Sequence, residues 1–318
     1  MDAGEQVTKL KSIFVYPIKS CRPISTPQAS LTPNGLRWDR LWMVINSKGR
    51  MYTQRVQPKL ALIQVDLPPE AFSPAWIPNQ TSFLVINGPG MNALKIPLAV
   101  PSAVADGVSV WEWSGSALDE GDEAANWFSH YLGKPSRLVR FDESSAYRPV
   151  NSDYARTHTV NFTDMYPFLL LSQESVNELN EHLSEPVSLN RFRANLIVDG
   201  CKPFSEDLWD EIEINGLVFH GGELCDRCKV PTINQETAEM GSEPTKTLMK
   251  FRSDKILRPS AQKHQGKVYM GQFMVCTNYS GETGKAIRVG DHVRVLKAFS
   301  SYDECIILGS PALPFGTD

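Results

Sequence analysis

The chain has 318 residues, near the size at which single cores divide, so one large domain or two closely packed ones is expected. Hydrophobic residues make up 42% and charged residues 21%, ordinary globular values, and no stretch approaches the run of about 18 apolar residues that a membrane helix needs. Lys plus Arg number 32 against 36 for Asp plus Glu, a net charge of -4, which gives no reason to expect nucleic acid as the main partner and makes any anion site a local one.

Residues 1–14, with Asp2 and Glu5, lack both the apolar core of a secretory signal and the Arg-rich, acid-poor character of a transit peptide, so a cytoplasmic location is expected. Residues 9–17 read as a strand, with Leu10, Ile13 and Val15 in near alternation, and residues 18–23 as a turn that presents Lys19 and Ser20 together. Residues 36–66 predict a hairpin: a strand over 41–45, turn chemistry at 46–49, a return over 51–55 and a further strand over 60–65. Short strands follow at 82–86 and, after an Asp106-Gly107 turn signal, at 108–113. The run Asp122–Leu132 predicts a helix, with acids in its first turn, Ala124, Phe128 and Leu132 on one face, and Gly133 and Pro135 as stop signals. A domain junction is placed just after it. An apolar strand at 168–171 leads to Ser172 as the cap of a helix whose Val176, Leu179 and Leu183 face inward. Strands return at 195–198 and 211–219, Pro244 opens a short helix through Thr247, Leu248 and Phe251, and the chain alternates again at 286–289 and 293–296. The fold class is α+β and strand-rich.

The six cysteines are scattered except for one C-x-x-C, unlike the dense framework of a small secreted protein, so reduced thiols are expected. That pair sits in Gly221-Gly222-Glu223-Leu224-Cys225-Asp226-Arg227-Cys228-Lys229, where adjacent cations favour a reactive or metal-binding thiolate. Three other readings stand beside this one. A structural zinc site needs four ligands, and no second C-x-x-C or paired His follows. A thioredoxin-like pair needs a βαβ setting, whereas Pro231 and Thr232 read as extended chain. Buried, inert cysteines are the common fate of Cys in an intracellular enzyme. A second constellation is basic: Lys19 with Ser20, Arg40, Arg55, Arg193 and Arg227, residue types suited to capturing phosphate or carboxylate, though each singly reads as a surface ion pair.

Several ordered landmarks resemble the MOSC family, in its amidoxime reducing component branch. They are Tyr16-Pro17-Ile18-Lys19-Ser20-Cys21, Gly35-Leu36-Arg37 with Asp39-Arg40 and Trp42-Met43-Val44-Ile45, Thr53-Gln54-Arg55, Phe192-Arg193-Ala194-Asn195-Leu196, Cys225-Asp226-Arg227-Cys228 and Gly271-Gln272-Phe273. The resemblance implies a MOSC N-terminal β-barrel-like region at residues 8–135, packed with a MOSC β-barrel domain at 136–298. Residues 299–318 have no counterpart in it and read as a loose tail.

It further implies molybdenum held by a pterin dithiolene, oxo-type ligands and one protein thiolate, that of Cys228, with Cys225 a structural neighbour. A soft thiolate suits a metal already bound by sulfur, and Arg227 is expected to favour its ionised form. Lys19, Ser20, Arg40, Arg55, Arg193, Asn195, Asp226 and Arg227 carry over as cofactor contacts, and Asp164 as a carboxylate near the metal that relays protons. The implied activity is reduction of N-hydroxylated compounds, amidoximes and hydroxylamines, with nitrite a further candidate. Electrons would come from NADH through NADH-cytochrome b5 reductase and cytochrome b5, an acidic haem protein docking on a local basic patch. The chain has no G-x-G-x-x-G fingerprint, in agreement with electrons arriving from a protein partner. It shows no membrane anchor like that of mitochondrial members, which leaves a mitochondrial location as the alternative, and too few cysteines after Cys276 for an iron-sulfur module. The rival reading is a cofactor carrier or sulfur-transfer protein, like the C-terminal region of molybdenum cofactor sulfurases. Their upstream pyridoxal-phosphate domain is not seen here.

Overall fold

The structure, a computed structural model, describes residues 7–150, 155, 157–279 and 285–305. Its largest sheet has eight strands in the order Val293–Ala298, Trp209–Ile214, Leu217–Asp226, Tyr269–Cys276, Phe168–Ser172, Leu196–Asp199, Lys9–Val15 and Ile24–Thr26. All pairs are antiparallel except Phe168–Ser172 with Leu196–Asp199, which needs a crossover, and the helix Gln173–Glu181 lies in that connection. Ser172 caps this helix by accepting the Ser175 N–H, and Val176 and Leu179 are buried beneath it, as expected, whereas Leu183 falls beyond the helix end and is only partly buried. The edge strand Val293–Ala298 and the residues before it meet the N-terminal end of Lys9–Val15: Leu10 N–H donates to Asp291 O at 2.8 Å, Gly290 N–H to Leu10 O at 2.8 Å and Val293 N–H to Thr8 O at 2.9 Å. This seam closes the sheet into a barrel and satisfies backbone groups that an open edge would leave bare.

Three smaller sheets surround one side. Trp42–Asn46, Ser136–Arg140, Trp113–Asp119 and Val104–Val110 form one. Gln64–Asp66, Phe83–Asn87 and Leu94–Pro97 form another, and Ala286–Arg288, Gln28–Thr32 and Gly35–Leu36 the third. The helix Asp122–Leu132 packs on the first of these and ends at Gly133 in the left-handed conformation, as expected. Its Phe128 is fully buried, worth about 1.5–3 kcal/mol against an exposed ring. The main apolar cluster runs from Leu10 to Val293 and draws on both halves of the chain, so the N-terminal strands share a core with the eight-stranded barrel.

Several elements differ from the sequence reading. Residues 51–55 make no strand; only Met51 bridges Ile45. In place of a strand over 60–65, Pro58 opens a 3-10 turn, Pro58–Leu62, and the strand is Gln64–Asp66. The Asp106-Gly107 pair lies within Val104–Val110 as a bulge, with Gly107 at φ +70°, and the hairpin turns at Trp111 instead. The single strand expected over 211–219 is a hairpin, because Asn215 and Gly216, at φ 51° and 73°, form a tight turn of the kind that matches strand twist. Pro231 and Thr232, expected to be extended, lie in the 3-10 turn Val230–Thr232. The expected loose tail is docked over 299–305, where Tyr302 donates to Asp207 and Cys305 is buried; residues 306–318 lie outside the described residues.

Candidate active site

Three loops from the barrel rim bring the basic residues together. The strand Lys9–Val15 delivers Tyr16 and the turn with Lys19 and Ser20; the strand Gly35–Leu36 leads to Asp39 and Arg40; Arg193 and Asn195 immediately precede Leu196–Asp199. Asp39, 2% exposed, is the hub. It accepts from the Tyr16 N–H at 2.8 Å, from Asn195 Nδ2 at 3.1 Å and from Arg40 Nη1 at 2.5 Å. Burial raises its pKa above the usual carboxylate value against the pull of Arg40. Arg40 also donates to Asn195 Oδ1 at 3.0 Å and Arg193 O at 3.1 Å, and Arg193 donates to Cys21 O at 2.9 Å. Both guanidiniums lie over the Tyr16 ring, at 4.2 and 4.4 Å from its centroid. Burial pushes the Tyr16 phenol up to about 12, so it stays neutral beneath them. Ser20, Arg40 and Arg193 all hold left-handed backbone, at φ 71°, 46° and 56°. Non-glycine residues in this region are uncommon, cost on the order of 1–3 kcal/mol where strained, and gather at ligand clamps.

A second group centres on Asp164. Lys19 Nζ, on a side chain 6% exposed, donates to Asp164 Oδ1 at 2.5 Å and to Phe162 O at 2.8 Å. Trp111 Nε1 donates to the same carboxylate at 3.1 Å, and Arg55 Nη2 stands 3.8 Å from its other oxygen. Burial lowers the Lys19 pKa to about 8, with Asp164 pulling it back up. Burial works against the Asp164 charge, but Lys19 and Arg55 outweigh it and hold the carboxyl well below the usual range. The Asp164 side chain is 45% exposed, so water screens part of this field. Arg148 clamps the loop from inside, donating to the carbonyls of Asn161, Thr163 and Asp164 at 2.7, 2.8 and 3.1 Å.

The C-x-x-C closes the arrangement from the other side. Gly221 opens this stretch of the strand Leu217–Asp226 because a Cβ there would stand 2.4 Å from Trp209 O. Cys225 faces the apolar cluster under the helix Gln173–Glu181, and burial pushes its thiol up to about 12, the state of an inert cysteine. Cys228 lies just past the strand end, half-buried, its sulfur accepting the Val230 N–H at 3.4 Å. Arg227, the cation expected to serve it, turns inward, its Nη1 2.9 Å from the Cys225 sulfur and its Nη2 on Phe192 O at 2.8 Å. Burial disfavours the Arg55 cation, but Asp164, then Cys228 and Asp226, outweigh it and raise the Arg55 pKa. Asp226 is held by Lys267 at 2.9 Å. All six cysteines are free thiols, and among the described residues no three His, Cys, Asp or Glu side chains converge as a metal-binding group.

The structure thus gathers Lys19, Ser20, Arg40, Arg55, Asp164, Arg193, Asn195 and Cys228 around one region, with Asp226 at its margin and Arg227 behind it. Sequence reasoning passed over Tyr16, Asp39, Trp111 and Arg148. Asp39 and Tyr16 sat inside the quoted motifs, whereas nothing local marked Trp111 or Arg148.

Two family models match in sequence order: the MOSC N-terminal beta barrel domain over residues 7–135 and the MOSC domain over residues 157–294. The chain is 31% identical to mitochondrial amidoxime reducing component 2 of Rattus norvegicus over 91% of this chain and 83% of that protein. This chain belongs to the MOSC family. Among its MOSC relatives, mitochondrial amidoxime-reducing component 1 of Homo sapiens is 30% identical over 92% of this chain and 84% of that one. Molybdenum cofactor sulfurase of Bos taurus is 27% identical over 89% of this chain but only 32% of its own length. Among the described residues of this MOSC protein, no helix is long and apolar enough to cross a membrane.

The residues present fit the molybdenum cofactor that the family implies. Lys19, Arg40, Arg55 and Arg193 gather with Ser20 and Asn195 around only two carboxylates, Asp39 and Asp164, the surplus of donors that a bound polyanion requires. Cys228 offers a soft sulfur with access to solvent.

Proposed function

We propose that the protein is a molybdenum-cofactor-dependent reductase of N-hydroxylated compounds, chiefly amidoximes and hydroxylamines, with nitrite a further substrate. Electrons would pass from NADH through NADH-cytochrome b5 reductase and cytochrome b5. The observation that carries this reading is the half-buried Cys228 thiol, together with a cation pair, Lys19 and Arg55, that shares the Asp164 carboxylate. When bound, the cofactor would supply a redox metal able to deliver two electrons.

The chain's own residues would do the rest. Cys228 would donate the sulfur ligand. Lys19, Ser20, Arg40, Arg193 and Asn195 would hold pterin and phosphate with fixed donors that need no reorganisation. Reducing an N–OH group to N–H and water takes two electrons and two protons. Asp164, kept ionised by Lys19 and Arg55, is an acceptor suited to orient the N–OH hydrogen or a water. Lys19, with its pKa near 8, is the proton-bearing partner of that carboxylate.

The relatives are named mitochondrial, so that location stands beside the cytoplasmic one expected from composition. The likeness to molybdenum cofactor sulfurase favours a second reading, a cofactor carrier or sulfur-transfer protein. Molybdenum, zinc and released pterin measured on the purified protein, followed by benzamidoxime reduction with cytochrome b5 supplied, separate the possibilities. Near-stoichiometric molybdenum with turnover supports the reductase. Cofactor without turnover supports the carrier, and zinc without pterin removes the molybdenum assignment.

A further inference from the structure

Gln54 is fully buried and Gln235 is 4% exposed, and the two amides exchange two hydrogen bonds of 3.0 Å each. The remaining Gln54 amide hydrogen goes to Ser20 O at 2.7 Å and that of Gln235 to Ile233 O at 3.1 Å, so all four amide hydrogens are used. The Gln54 backbone N–H also donates to Ser20 Oγ at 3.3 Å. Gln54 directly precedes Arg55, whose guanidinium stands 3.8 Å from Asp164. Gln235 follows Cys228 through a short braced run, in which Thr232 N–H donates to Lys229 O at 3.1 Å, Ile233 N–H to Val230 O at 3.0 Å and Arg191 to Pro231 O at 3.1 Å. Arg22 grips the same turn, donating to Gln235 O at 2.8 Å and to Glu236 at 2.7 Å.

We propose that Gln54 and Gln235 form a positioning lock that sets Ser20 and Arg55, from the first half of the chain, in register with the Cys228 loop from the second. The pair touches neither substrate nor metal; it acts through Ser20, Arg55 and Cys228, and its role in cofactor retention rests on the reading above. A buried reciprocal amide pair suits this task because it is satisfied in one arrangement only. A shift of either loop by an ångström orphans four polar groups at once. A pair of apolar side chains would fill the space and tolerate sliding.

The test uses the full chain purified from a host that makes the cofactor, with molybdenum and pterin per chain measured after desalting. Gln54→Leu and Gln235→Leu are each expected to lower retention about tenfold, the effect of leaving a buried polar group unsatisfied. The double variant is expected to lose no more than the worse single variant. Leu179→Ala, beneath the helix Gln173–Glu181, serves as the control: it lowers the thermal midpoint and leaves retention unchanged. Wild-type retention in either single variant, or losses that multiply in the double, overturns the lock. Should the wild-type protein carry neither molybdenum nor pterin, the cofactor reading fails and the lock is read separately. Iodoacetamide labelling of Cys228 at neutral pH, followed by mass spectrometry, should then run several-fold faster in both single variants, and equal rates overturn it.

Discussion

Replacing Asp164 by asparagine strips the Lys19 ammonium of its carboxylate and leaves an amide of the same size. The Lys19 side chain is 6% exposed, and Nζ would keep the Phe162 carbonyl with a neutral amide oxygen in place of the carboxylate. Breaking a buried pair from one side costs about 3–5 kcal/mol. Asp164 is 45% exposed, so solvent screens much of the attraction, and Lys19 can release its proton, which caps the loss. About 1–2 kcal/mol is expected at neutral pH. The pH dependence follows from Lys19, whose pKa burial lowers from 10.5 to about 8 against the pull of Asp164. Between those values the unfolded chain binds more protons than the folded one. The penalty of the buried charge is therefore fully present below about pH 8 and is relieved as pH rises through the window to about 10.5. The attraction to Asp164 exists only while Lys19 is charged, so it should be present at pH 7 and gone by pH 10. Chemical unfolding of wild type, Asp164→Asn, Lys19→Met and the double variant at both pH values isolates that coupling. A coupling below about 0.3 kcal/mol at pH 7, or one unchanged at pH 10, refutes the argument.

Two further outcomes follow from the geometry. Cys228→Ala should abolish molybdenum-dependent benzamidoxime reduction while Cys225→Ala retains much of it, because only Cys228 is accessible and Cys225 packs among apolar side chains; equal loss in both would point to zinc or a disulfide. Arg252→Met should lower stability by about 3–5 kcal/mol, read as a shift of the urea midpoint, since it leaves the Asp207 carboxylate, fully buried, with Tyr302 alone; a shift under about 1 kcal/mol would mean the pair is not intact in solution.

Local chemistry was the part of the fold the sequence disclosed. The helix Asp122–Leu132 announced itself through acids, a spaced apolar face and Gly133, and the Ser172 cap through its hydroxyl before an apolar periodicity. The hairpin at Asn215-Gly216 was missed because apolar residues run on through it, masking a turn signal. The site's membership was legible as motifs, yet its internal wiring was not. Arg227 and Cys228 are neighbours in sequence, but the strand end turns the Arg227 side chain inward to Phe192. Arg55 reaches the thiol from a loop far away in sequence, and Trp111 reaches Asp164 from a hairpin tip. Such pairings depend on strand order, which no local pattern encodes.

The seam between Thr8–Leu10 and residues 290–293 has a consequence in time as well as in space. Its hydrogen bonds join segments separated by nearly the whole described chain, and such distant pairings form slowly because loop closure must precede any gain. On a ribosome the first strand must wait for the last to emerge. Until then the Thr8–Leu10 end of that strand has one flank bare, although its Ile13–Val15 end can already pair with Ile24–Thr26. On the cofactor reading proposed above, a group delivered before the seam closes would meet an unfinished barrel, so loading is expected after synthesis is complete. A pulse-labelled chain should accordingly acquire the group only once residues 290–293 have docked.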